Sequence, residues 1–118
     1  MIRRLVYVAG KFTDKDPDAQ TRNVVAAVVE GYRVRGVGAV PVVPHVTILP
    51  PLHADPEAVW VEAMAECKAL LKACAAVYAI PGWENSRGAK DEVLAAGEWG
   101  IPVFFDLGRL QAWLGRTA

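Results

Sequence analysis

The residues best suited to chemistry lie between Ile80 and Glu92, in the segment IPGWENSRGAKDE. Their order predicts a strand end, a tight turn and a helix capped by Ser86. The Ser86 hydroxyl and the backbone N–H groups around Gly88 would then suit a phosphate or a sugar hydroxyl. Glu92 follows about a turn and a half into the helix, where its carboxylate could act as a nucleophile or a base. The same spacing fits a capped surface helix with Glu92 in solvent equally well.

Other polar and aromatic side chains lie in or beside the predicted loops and have two interpretations each. Lys11 and Arg87 are loop cations that could meet a phosphate or stay solvated. Trp83 could stack on a base or cover the core. Asn23 is unusual on an apolar helix face, which fits either a pocket contact or a helix cap.

The two histidines and the first tyrosine are judged by their surroundings in the sequence. His45 and His53 share one loop without a clear third ligand, so loop hydrogen bonding or a ligand contact by His45 is favoured over a metal site. Tyr7 lies in an apolar run, and from the sequence alone such a residue belongs to the core more often than to a site.

Apolar runs that alternate with helical patterns must position these side chains. Strands alternating with helices imply right-handed crossovers, and therefore a parallel sheet covered on both faces. Pro41 indicates that the second strand lies at an edge. The predicted strands are residues 5–9, 39–43, 75–80 and 101–105, and the predicted helices are 18–35, one from residue 56 through 71, 87–99 and 107–114.

Ligands of parallel sheets bind beyond the carboxyl ends of the strands, at the switch point in strand order. This rule selects four loops, residues 10–16, 44–55, 81–87 and 106–108, and the polar and aromatic residues concentrate there. The sequence therefore predicts a small-molecule pocket built from these loops.

Length and composition limit the class of protein. The chain has 118 residues, 53% of them hydrophobic, with 13 basic and 13 acidic side chains, which predicts one domain over residues 1–118 and excludes disorder. Balanced charge gives no reason to expect nucleic acid or a membrane surface as partner. The longest uncharged run, from Arg35 to Asp55, contains four prolines and so cannot form a continuous spanning helix. We therefore expect a soluble protein.

The cysteines and the N-terminal segment indicate the compartment. Cys67 and Cys74 are two helical turns apart, roughly 10 Å along the axis, which is too far for a disulfide. The first residues carry no long apolar segment followed by a cleavage site. A cytoplasmic location is the expectation.

Several motifs combine into a family pattern. They are YVAG at residues 7–10, Asn23, PH at 44–45, Trp60, PGW at 81–83 and SRGAKDE at 86–92 followed by GIP at 100–102. Together they resemble the nucleoside 2-deoxyribosyltransferase-like superfamily, in particular its small DUF4406-type branch. The resemblance covers nearly the whole chain and implies a flavodoxin/Rossmann-like three-layer sandwich with a four- or five-stranded parallel sheet.

The resemblance also implies a reaction, which is cleavage or transfer at the N-glycosidic bond of a nucleoside or its 5′-monophosphate. The family's nucleophile corresponds to Glu92, and the tyrosine that orients it corresponds to Tyr7. Ser86 and Gly88 correspond to residues that hold the 5′-phosphate. The family pattern implies a homodimer or a larger homo-oligomer. Gly10, Lys11, Asn23, His45, Trp83 and Arg87 complete the predicted substrate-binding set.

The chain departs from the family pattern where active relatives have aspartates. Cys67 and Ala75 stand at two such positions, and the loop before the glutamate helix offers Glu84 and Asn85. Glu84 is our candidate for the acid that protonates the leaving base. The missing aspartates favour an alternative, a binding or sensing module for nucleotides without turnover.

A flavodoxin-type electron carrier is the third alternative. The loop after the first strand, GKFTD at residues 10–14, has too few small hydroxyl residues to hold a flavin phosphate. No cofactor is therefore expected.

Overall fold

The computed structural model, which describes residues 2–117, contains one sheet of four parallel strands. The strands are β1 (Leu5–Ala9), β2 (Val40–Val42), β3 (Ala76–Ala79) and β4 (Val103–Phe104). Their order is β2-β1-β3-β4, so β1 and β3 pair at the centre and the short strands β2 and β4 lie at the edges. The helices are α1 (Pro17–Gly36), α2 (Pro44–Thr47), α3 (Pro56–Lys72), α4 (Arg87–Glu98) and α5 (Leu107–Thr117), with a 3-10 turn at Trp83–Asn85.

The strand order fixes where a ligand site can form. From β1 the chain moves outward to β2, then crosses back to β3 on the other side of β1. The order therefore reverses between β1 and β3, and this is the position at which doubly wound sheets bind ligands.

Two apolar clusters cover the two faces of the sheet. One contains Val6, Val8 and Tyr78 of the central strands, packed with residues of α1 and α5. The other contains Tyr7, Ala9 and Val77, packed with residues of α3 and α4. Because side chains alternate along a strand, Tyr7 faces α3 and α4 whereas its neighbours face α1 and α5. The three-layer α/β prediction is confirmed.

Local signals in the sequence begin the helices. Asp16 and Asp55 each accept a hydrogen bond from the backbone N–H two residues later, and each is followed by a proline that can occupy a first turn without losing a helical hydrogen bond. Gly100 lies two residues after the end of α4 and has a φ of 71°. This left-handed conformation favours glycine and stops the helix from continuing.

The structure corrects some predicted boundaries. Residues 44–55 were predicted as a loop, but Pro44 begins the one-turn helix α2, which its fixed φ favours. The sheet has four strands, and the predicted strand 101–105 is paired only at Val103–Phe104. The proline in β2 lies at the sheet edge, as its missing N–H requires.

None of the helices within residues 2–117 has the length and apolarity that a membrane span needs.

Candidate active site

Tyr7 and Glu92 meet beneath helices α3 and α4. Tyr7 points from β1 to this face of the sheet, Glu92 points from α4 back toward the sheet, and the Tyr7 hydroxyl donates a hydrogen bond to Glu92 Oε2. Tyr7 is 0% exposed and Glu92 is 4% exposed. The contact that the family resemblance implies is therefore present, and the roles of the two residues in a reaction stay a prediction.

Burial changes the acidity of both groups. The pKa of Glu92 is raised to about 7, chiefly by loss of solvent and also by the charge of Asp91, and the Tyr7 hydrogen bond and the charge of Lys68 act in the opposite direction. Burial and the charge of Glu92 hold the pKa of Tyr7 well above its ordinary range. Near neutral pH, Glu92 can therefore take up or release a proton while Tyr7 remains a neutral donor.

Cys67 of α3 lies against the same pair. Burial, together with the nearby charge of Glu92, raises the pKa of Cys67 to about 11. The thiol is therefore neutral and supplies no charge to the site. Asp91, which neighbours Glu92 in sequence, forms an ion pair with Lys68 at 2.8 Å.

The first turn of α4 forms as the sequence predicts. Ser86 is buried, and its Oγ accepts a hydrogen bond of 3.1 Å from the backbone N–H of Ala89. Gly88 packs closely against Met64 of α3. A Cβ placed on Gly88 would lie only 3.2 Å from the Met64 Sδ, so a larger residue would crowd this contact. Ser86, Gly88 and Glu92 thus share one helix, with Glu92 one turn beyond Gly88.

Arg87 is bound within the protein. Its guanidinium makes two hydrogen bonds with the Glu57 carboxylate, at 3.0 and 3.2 Å, and lies 3.6 Å from the centre of the Trp60 ring. Both charged side chains are more than half exposed. The exposed cation predicted to meet a phosphate therefore has a carboxylate as its partner in this structure.

A second group of predicted residues lies on the opposite side of the switch point. Lys11 and Asn23 line a cleft of about 180 Å³ together with Asn85 and the turn 80–82. The Asn23 amide donates a hydrogen bond of 3.2 Å to the backbone oxygen of Phe12, which holds the loop after β1. Lys11 forms an ion pair with Asp14 at 3.5 Å.

Gly10 and His45 fix the start of that loop. A Cβ on Gly10 would lie 2.5 Å from the Ile80 side chain, so the close approach of β1 and the end of β3 requires glycine. His45 Nε2 lies 3.1 Å from the Lys11 backbone oxygen, so this nitrogen carries the proton and donates. Burial lowers the pKa of His45, and its buried Nδ1 has no hydrogen-bond partner among the described residues.

The 3-10 turn places the remaining candidates at the surface. Trp83 packs against the exposed Phe105 with ring centroids 5.2 Å apart, and neither ring belongs to the two apolar clusters, so both interpretations of Trp83 stay open. Glu84 is exposed on this turn.

His53, the second histidine of the predicted loop 44–55, lies apart from these residues and pairs with Glu62 at 2.7 Å.

The predicted residues thus fall into three groups. Tyr7 and Glu92 form a closed pair, Lys11 and Asn23 border an open cleft, and Arg87 lies at the outer end of α3 and α4. Sequence reasoning missed Met64 and Glu57, which contact predicted residues from α3. Both precede Cys67 on one helix, but only the packing of α3 on α4 shows that they face the site.

Comparisons with known proteins identify the family and the fold. The family model described as a domain of unknown function, DUF4406, matches residues 4–105. The chain belongs to the DUF4406 family. No curated protein matches this DUF4406 chain.

A solved structure is similar to this DUF4406 protein. It comes from a study of the 2-deoxyribosyltransferase of the psychrotolerant bacterium Bacillus psychrosaccharolyticus. The TM-score is 0.62 at 17% identity, covering 93% of this chain and 95% of that one. At this identity the match establishes the fold, which is nucleoside 2-deoxyribosyltransferase-like.

Proposed function

We propose that this DUF4406 protein cleaves or transfers at the N-glycosidic bond of a nucleoside or a nucleoside 5′-monophosphate. The observation that carries the proposal is the buried Tyr7–Glu92 hydrogen bond at the switch point of the sheet. A carboxylate with a pKa of about 7, held by a neutral tyrosine, is poised near neutral pH for reaction with an electrophilic carbon.

In the proposed reaction, a Glu92 oxygen forms a bond to the anomeric carbon of the sugar. The bond from that carbon to the base nitrogen breaks, its electron pair stays with the base, and the base takes a proton. Glu84 is the candidate donor of this proton, from its place on the exposed turn. The resulting sugar ester of Glu92 then passes the sugar to water or to a second base, which restores the carboxylate.

Tyr7 is assigned the role of a positioning residue. Its hydroxyl holds one Glu92 oxygen, which leaves the other oxygen to approach the sugar. We further propose that Ser86, Gly88 and Arg87 hold the sugar or its phosphate at the first turn of α4.

The groups across the switch point are assigned to the base. Gly10 lets the loop after β1 approach β3, Lys11 lies in that loop, and Asn23 and His45 hold the loop backbone by hydrogen bonds. Trp83 lies on the neighbouring turn and could cover one face of a base.

Incubation with a panel of nucleosides and 5′-monophosphates, followed by chromatography of free base, tests the proposal. Base release by the wild type that disappears in Glu92→Ala is the expected result. Glu30→Ala is the matched control, because Glu30 also accepts a hydrogen bond from a buried tyrosine, on the other face of the sheet.

A binding or sensing module is the second candidate function. The neutral Cys67 thiol, at a position where the family pattern has aspartate, favours it because the thiol adds no acid to the site. Tight binding of a nucleotide without base release from any substrate would overturn the enzyme and support the sensor.

A further inference from the structure

The Tyr7–Glu92 pair is closed to solvent, so a ligand must displace part of the protein to reach it. Tyr7 is 0% exposed and Glu92 is 4% exposed, and helices α3 and α4 pack side by side over them. In a parallel α/β fold the helices begin near the edge of the sheet where the strands end. The route from this edge to Glu92 therefore follows the seam between α3 and α4.

Met64 of α3 lies in that seam and packs against Gly88, the α4 residue one turn before Glu92. Gly88 precedes Glu92 by four residues and so shares its face of α4. The position of a Cβ on Gly88 lies 3.2 Å from Met64 Sδ, 3.9 Å from Met64 Cε and 4.0 Å from Ser86 Oγ. Met64 is 9% exposed. Its thioether end thus occupies the space beside Ser86 and Gly88, two of the three residues to which we assign the sugar or its phosphate.

Two ion pairs lie at the borders of the seam between α3 and α4. Met64 is therefore the side chain that blocks the seam itself. At the outer end, Arg87 forms an exposed bidentate pair with Glu57 and lies over the Trp60 ring. Lys68 and Asp91 form a pair that is about one-third exposed. Neither pair contains an apolar group packed over Gly88.

We propose that Met64 controls access to Glu92, and that its side chain leaves Gly88 when a ligand enters. Methionine suits this role because it is unbranched, has three rotatable bonds and makes no directional bond that must break. The identity of the ligand rests on the proposed function, whereas the opening itself is a property of the free protein.

The thiol of Cys67 reports this opening without any substrate. Cys67 lies one turn past Met64, beside the Tyr7–Glu92 pair, and is partly exposed, so the readout is the change in its alkylation rate relative to wild type and not protection itself. Its alkylation by iodoacetamide is measured in a Cys74→Ser background, so that one thiol remains. Met64→Val removes Sδ and Cε, the two atoms over Gly88, and should raise the rate at least about fivefold.

Two further variants separate access from general loosening of α3. Met64→Leu keeps the volume but has two rotatable side-chain bonds, so alkylation should slow by about threefold. Leu71→Val removes a similar volume from the buried face of the same helix, and its rate should stay within about twofold of wild type. An unchanged rate in Met64→Val, or an equal rise in Leu71→Val, would overturn the proposal.

The two proposals fail in different ways. Alkylation that responds to Met64 as expected, in a protein that releases no base, overturns the enzyme and leaves the access role supported. Base release with no response of alkylation to Met64 overturns the access role and supports the enzyme.

Discussion

Within residues 2–117 there are two buried tyrosine–glutamate pairs, one on each face of the sheet. On the α1/α5 face, the Tyr78 hydroxyl donates to Glu30 Oε2 at 3.0 Å, and Arg33 holds Glu30 Oε1 at 2.6 Å. On the α3/α4 face, Tyr7 donates to Glu92. Both pairs join a central strand to a helix, so the architecture is the same and the chemistry differs in the third partner.

The third partner decides what each carboxylate can do. Glu30 has a cation in direct contact, which compensates its charge and commits both of its oxygens. Glu92 has the neutral Cys67 thiol nearby, and Lys68, which lowers its pKa, is paired with Asp91. A carboxylate that is buried without a contacting cation is costly for stability, and such groups concentrate at functional sites.

The largest expected difference between the pairs is in the pH dependence of stability. The pKa of Glu92 is raised from 4.5 to about 7 in the folded protein, so folding favours its protonated form. This stability is fully present below about pH 4.5 and is lost as pH rises through 7, a change of about 3 kcal/mol. At pH 8, Glu92→Gln should therefore unfold at higher urea concentration than wild type, and near pH 4.5 the two should converge.

Glu30→Gln is the matched control for that measurement. The variant loses the charge that Arg33 binds, so its free energy of unfolding at pH 8 should fall by about 1 kcal/mol. Destabilisation by both substitutions at pH 8 would break the contrast between the two glutamates.

The tyrosines should differ in their effect on rate. The Tyr7 hydrogen bond lowers the pKa of Glu92, so Tyr7→Phe should raise that pKa. The acidic limb of the pH–rate profile should then move to higher pH. A shift of one unit lowers the rate of base release below the midpoint about tenfold. Tyr78→Phe should change the rate less than about twofold and cost about 1 kcal/mol of stability. Equal losses of rate in the two variants would contradict the assignment.

A smaller effect is expected at the outer end of α3 and α4. Glu57→Gln removes the carboxylate bound to Arg87, so the guanidinium is free for a substrate phosphate. The KM for 5′-monophosphates should fall by about threefold, while that for nucleosides stays unchanged. Glu62→Gln on the same helix is the control, since Glu62 pairs with His53. A fall in the KM for nucleosides as well would remove the phosphate role of Arg87.

The sequence predicted the sheet and its buried faces, because these follow from apolar periodicity, whereas the Tyr7–Glu92 contact was implied by the family resemblance. It also contained a sign of the second pair, since Glu30 lies on the helical face that Ala27 and Val34 bury. The contacts of Met64 with Gly88 and of Glu57 with Arg87 were not predictable. They depend on how far α3 rotates and slides along α4, which residue spacing within one helix does not determine.

The central claim is that Glu92 forms a covalent bond to the sugar, and acid quenching during turnover tests it most directly. Protein mixed with an active substrate is quenched, digested and mapped by mass spectrometry. We predict the mass of one sugar on the peptide that contains Glu92, present in Glu30→Gln and absent in Glu92→Gln. Base release at an undiminished rate in Glu92→Gln, or the sugar on a different peptide, would contradict the account.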